Sequence, residues 1–64
     1  MAAAMTPTEF AHLTTVWPSL SAAAVDLRIT RQSAYRYRDG DRPVPDTVAR
    51  LLRILHAHPE LRAA

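Results

Sequence analysis

The chain has 64 residues, no cysteine, a hydrophobic share of 48% and a formal net charge of +2. That length admits one domain, which buries only about 60% of the surface its unfolded chain exposes, and the missing cysteines exclude a disulfide framework or a thiolate metal site. No apolar run approaches the roughly 18 to 20 residues of a membrane span, and Met1-Ala2-Ala3-Ala4-Met5 is too short and uncharged for a signal peptide, so a cytosolic protein is expected, with a frayed leader over residues 1–5 and the domain over 6–64.

The first element opens at Thr6-Pro7-Thr8-Glu9. Thr6 is a helix cap, Pro7 suits the first helical position because its missing N–H would be unpaired there, and Glu9 completes the spacing of a capping box. The helix is expected to run to about Val16, with Phe10, Leu13 and Trp17 sharing a core stripe. His12 falls off that stripe and has no second ligand three or four residues away, which argues against a metal. Trp17-Pro18-Ser19 ends this helix and starts the next, since the residue before a proline leaves the helical region and Ser19 is a good N-cap.

Helix two, Leu20 to Leu27, is dense in alanine, and the lack of bulk at Ala24 would let another helix cross closely. A tight corner follows at Leu27-Arg28-Ile29, and Thr30 caps helix three. That helix has two faces. Ala34 and Tyr37 turn inward with Ile29, whereas Arg31, Gln32, Tyr35 and Arg36 turn outward. Arginine grips guanine O6 and N7 with its planar fork, and glutamine does the same for adenine N6 and N7, so this outer face suits base edges in a major groove.

Gly40 is the natural left-handed cap of helix three, and Arg42-Pro43-Val44-Pro45 is too proline-rich for a helix or a central strand. Pro45 begins helix four, about Asp46 to Ala57, whose Val48, Leu51, Leu52 and Leu55 form a broad core stripe with Ile54 and His58 at its edge. These large apolar side chains exceed what so short a chain readily covers. A homodimer is therefore expected, with Ile54, Leu55 and Leu61 as interface candidates, and Leu61 is also expected to fold back as an apolar latch. His56 and His58 are two residues apart, face different sides of a helix and do not form a metal site.

The charge is unevenly spread. Arg28, Arg31, Arg36, Arg38 and Arg42 against Asp39 and Asp41 make residues 28–42 +3, while three arginines against four carboxylates leave the remainder −1. A local basic patch of this kind is the electrostatic footprint of a nucleic-acid contact.

Leu27 to Gly40, LRITRQSAYRYRDG, resembles the second half of the helix-turn-helix in phage Cro and lambda-type repressors. The likeness rests on the small residue Ala24 four before the turn, the aliphatic Ile29 just after it, the cap Thr30, the inward pair Ala34 and Tyr37, and the terminal Gly40. DRPVPDTVARLLRILHAHPEL is similar to the loop and fourth helix of small regulators of that type. The resemblance implies an all-α, four- to five-helix lambda-repressor-like fold with the helix-turn-helix over residues 19–40, and duplex DNA as partner. It makes Arg31, Gln32, Tyr35 and Arg36 base-contacting candidates, and assigns phosphates to Ser19, Ser21, Arg38 and Arg42. One departure is Arg28, where the family usually has a left-handed glycine. Either the corner relaxes, the expectation preferred here, or Arg28 contacts a phosphate. The same analogy extends to phage or mobile-element repressors, including small regulators that accompany anti-CRISPR genes.

No glycine-rich phosphate loop or paired carboxylates on a helix face suggest an enzyme, and no cofactor, metal or small-molecule ligand is expected. The competing reading is a helix-turn-helix-derived protein-binding module, an antitoxin or adaptor, for which an acidic or apolar outer face on helix three would speak.

Overall fold

The computed structural model describes residues 4–63, and within them the chain is all-helical, with four α-helices and a final 3-10 turn. These are α1 (Pro7–Thr14), α2 (Leu20–Leu27), α3 (Arg31–Asp39), α4 (Asp46–Ala57) and the turn Pro59–Leu61. Helix α3 packs on both α1 and α2, while α4 lies against α1 and touches α2. The molecule is only 17 Å through its thinnest axis, room for about two helix layers. Every helix therefore keeps a solvent face.

Each of the first three helices starts with a side-chain cap. Thr6 Oγ1 accepts from the Glu9 N–H at 3.0 Å, Ser19 Oγ from Ala22 N–H at 3.1 Å and Thr30 Oγ1 from Ser33 N–H at 3.0 Å. Such a cap contributes on the order of 1 kcal/mol by satisfying an amide that the helix leaves unpaired. The expected capping box is only half made, because the Glu9 carboxylate meets Arg53 Nη2 at 3.3 and 3.4 Å instead. That contact ties α1 to α4. Pro45 stands one position earlier than expected, as the cap residue of α4, with its carbonyl accepting from Ala49 N–H at 2.9 Å.

Helix α1 stops at Thr14, short of Val16. The cause is a pair of threonines whose hydroxyls donate back to carbonyls: Thr14 to Phe10 and Ala11 at 2.9 and 3.1 Å, and Thr15 to His12 at 2.7 Å. Trp17, although beyond the helix, still reaches the core and is 4% exposed. Its indole N–H donates to Asp26 Oδ2 at 2.8 Å.

Phe10 and Leu52 are fully buried, and the ring of Phe10 meets Tyr37 edge to face, with centroids 5.8 Å apart. Ala23, Ala24 and Ala34 are buried, and α2 packs on α3. Val44 is buried too and pins the proline loop to the body.

Three further expectations are corrected. Met1 to Ala3 and Ala64 lie outside the described residues, but Met5 is buried in the core and is not part of a frayed leader. Met5 and Phe10 flank the cap at the spacing of a hydrophobic staple, which sets the entry angle of α1. Leu55, expected at a dimer interface, is 6% exposed and belongs to this chain's own core, since it shares α4's inner face with Leu52. Leu61 is not a latch, being 56% exposed. Arg62 closes the end of α4 instead, its Nη1 donating to the carbonyls of Leu55 and His56 at 3.0 and 3.3 Å, with its guanidinium 5.6 Å from the centroid of Trp17. Ala63 N–H then donates to Asp26 Oδ2 at 3.1 Å, fastening the tail to α2.

Candidate nucleic-acid interface

The corner between α2 and α3 is built by the end of α2. Ile29 N–H reaches back to the Ala24 carbonyl at 3.1 Å and Arg28 N–H to Val25 at 3.2 Å, a closure that needs a left-handed residue between them. Arg28 is that residue, at φ 60° and ψ 37°. Among the described residues it alone has a positive φ without being glycine. The corner does not relax, because the paired bonds ending α2 hold Arg28 in a conformation that costs a side-chain-bearing residue on the order of 1 kcal/mol. Gly40 takes the same form at the end of α3, at φ 83°, where Asp41 N–H bonds the Arg36 carbonyl at 2.9 Å. A Cβ on Gly40 would meet Pro7 Cγ at 3.3 Å, so the end of α3 is seated against the first turn of α1.

Thr30 then aims α3. Its hydroxyl accepts from Ser33 N–H and donates to Ser33 Oγ at 2.9 Å, which occupies both side chains at the helix start. With Ala34 fully buried and Tyr37 8% exposed, the opposite face is forced outward. Arg31, Gln32 and Tyr35 are exposed there, and Arg36 is half-buried. Arg31 with Tyr35 and Gln32 with Arg36 are each four apart, so the base-contacting candidates form two adjacent rows on one face.

The arginines divide by what holds them. Arg50 pairs with Asp46 at 3.4 Å, Arg53 with Glu9, and Arg62 with two carbonyls and a ring. The guanidinium groups of Arg28, Arg31, Arg36 and Arg42 have no hydrogen-bond, ion-pair or ring partner among the described residues. Arg38 stands between the groups, with Nε on Asp39 Oδ1 at 3.2 Å and its guanidinium 4.7 Å from the centroid of Tyr35. The surplus cations thus lie on and beside α3, over the stretch that carries the local +3 charge.

Of the phosphate candidates, Ser19 and Arg38 are brought together. They line one cleft with Ala11, Thr14, Thr15, Trp17 and Leu20, where the end of α1, the start of α2 and the end of α3 converge. Ser19 is exposed, but its hydroxyl already caps α2. Ser21 is half-buried and stands apart from this cleft, as do Arg28 and Arg42. Thr15, which sequence reasoning passed over, joins the cleft because α1 ends early.

Of the proposed interface residues, Ile54 and Leu61 are 50% and 56% exposed. Val25 and Val16 are further exposed apolar side chains, at 66% and 42%, that the core stripes gave no reason to single out. Among the described residues no helix is long and apolar enough to cross a membrane, and no group of three His, Cys, Asp or Glu side chains is placed to hold a metal. No protein-family model, curated protein or solved structure matches the chain.

Proposed function

We propose that this chain is a sequence-specific, double-stranded-DNA-binding transcriptional regulator of the phage Cro and lambda-repressor type, acting as a homodimeric repressor in the bacterial cytoplasm. One observation carries the reading. The outward face of α3 and its flanks hold four arginines that the fold itself leaves without partners, while arginines elsewhere are engaged. A cluster of unneutralised cations repels itself, and a polyanion relieves that repulsion with release of counterions.

In this reading α3, a cylinder of about 10 to 12 Å, enters a major groove about 12 Å wide. Arg31, Gln32 and Arg36 meet base edges and Tyr35 a base methyl or phosphate. Ser19 at the start of α2, and Arg28, Arg38 and Arg42 through their guanidinium groups, hold the flanking backbone. Ser21, half-buried, takes a lesser part. A second copy docked through Ile54 and Leu61 would set a matching α3 in the next groove, about 34 Å along the duplex. Repression follows from occupancy of a site that polymerase needs.

The test is selection of bound duplexes from a random-sequence pool, then titration of the selected and a scrambled duplex at two salt concentrations. A pseudo-palindromic site, preferred at least about 1,000-fold over the scrambled duplex and with steep salt dependence, is the expected result. Equal, weak binding to all duplexes would overturn it and leave the protein-binding module, with an acidic protein surface as the partner of these arginines.

A further inference from the structure

Asp39 is an odd choice for its position. It is the last residue of α3, where the carbonyl ends of the helix make a negative charge unfavourable. Its carboxylate contacts the side chain of its immediate neighbour, although adjacent residues on a helix normally point apart. What brings them together is the fold of Arg38 back over the Tyr35 ring three residues earlier, which leaves Nε directed at Asp39 Oδ1. The remaining guanidinium N–H groups are left over for another acceptor.

We propose that Asp39 is a positioning residue that occupies Arg38 in the free protein as a stand-in for DNA phosphate, restraining the affinity of the α3 end for duplexes of any sequence. The inference rests on the DNA-binding reading. Arg38 and Asp39 side chains are 43% and 52% exposed, so their pair is screened by solvent and weak enough to open. When a phosphate reaches Arg38, the Asp39 carboxylate is a like charge beside it and must turn away. Tyr35 keeps its hold on the guanidinium during that exchange, since stacking on the ring face leaves the N–H edges free. Asp41 carries the same charge two residues on, with no side-chain partner among the described residues, and supplies the control.

The probe is a short random-sequence duplex, titrated at two salt concentrations with the unaltered chain, Asp39→Asn, Asp41→Asn, Arg38→Ala and the Arg38→Ala/Asp39→Asn double variant. Asp39→Asn is expected to tighten binding about fivefold, the upper range for releasing an exposed pair, and Asp41→Asn by no more than about twofold. In the Arg38→Ala background the gain from Asp39→Asn should fall to the Asp41→Asn level. Without DNA, the Arg38 Nε–H resonance should shift in Asp39→Asn and stay in place in Asp41→Asn. Equal gains from the two asparagines, or a gain that persists without Arg38, would overturn the stand-in role. If none of the five proteins binds duplex at either salt, the DNA-binding reading itself fails and this inference goes with it.

Discussion

The two ends of α3 and the closing tail use the same side chain in opposite ways. Around α3, the guanidinium groups of Arg28, Arg31, Arg36 and Arg42 meet no hydrogen-bond, ion-pair or ring partner among the described residues. In the tail Arg62 caps α4 and covers Trp17, and across the body Arg53 joins α4 to Glu9. A chain that keeps some arginines for its own carbonyls and carboxylates, and withholds others, separates cations that hold the fold from cations available to a partner. Neither charge count nor composition makes that separation, because it depends on what each guanidinium touches.

The sharpest way to break the comparison is to remove the withheld set. With Arg28, Arg31, Arg36 and Arg42 all changed to alanine, duplex affinity should fall by about 1,000-fold or more, as each such contact contributes on the order of 1 to 3 kcal/mol. Stability should change by no more than about 2 kcal/mol in total, because surface side chains without partners contribute within about 0.5 kcal/mol each. Parallel loss of binding and melting temperature would show that these arginines also support the fold.

Arg36→Ala alone should weaken binding by about 1 to 3 kcal/mol and relax preference at one base pair, read by titrating single-base variants of the selected site. A uniform loss on every sequence would move Arg36 to the phosphate contacts. The engaged set should behave in reverse: Arg62→Ala should lower stability by about 1 kcal/mol, a melting shift of about 4 to 8 °C in so small a domain, while duplex affinity stays within about twofold.

Arg28 tests both halves at once and has the smallest expected effect. Arg28→Gly relieves a left-handed side-chain-bearing residue but frees the unfolded chain, so a net gain of about 0.5 kcal/mol in stability is expected, together with weaker, less salt-dependent binding. Greater stability with unchanged binding would take Arg28 out of the interface.

The parts legible in the sequence were those decided by neighbours. Thr6, Ser19, Thr30 and Gly40 act on amides or carbonyls within a few residues, so their roles could be read from local chemistry. The inward pair Ala34 and Tyr37 followed from helical period, and with it the outward direction of Arg31, Gln32 and Tyr35. What escaped depends on distant partners. Glu9 had to choose between its own cap and Arg53, which lies 44 residues away. Leu55 could be assigned to the core or to an interface only once the reach of α1 over α4 was known, and Asp26 meets the tail 37 residues on. The early end of α1 was open to local reasoning, since Thr14 and Thr15 both bond back to the helix, but the helical period of Trp17 outweighed that signal.

Trp17 is the chain's single tryptophan, and it sits at the joint where the Asp26 carboxylate takes its indole N–H and Arg62 lies over its ring. The intrinsic ultraviolet emission of this protein is therefore a local optical gauge of whether the tail is docked. Peeling residues 62 and 63 away would bring water to the indole while α1 and α3 remain packed. Its emission and the helical circular dichroism should then part company during gentle heating, the light changing first.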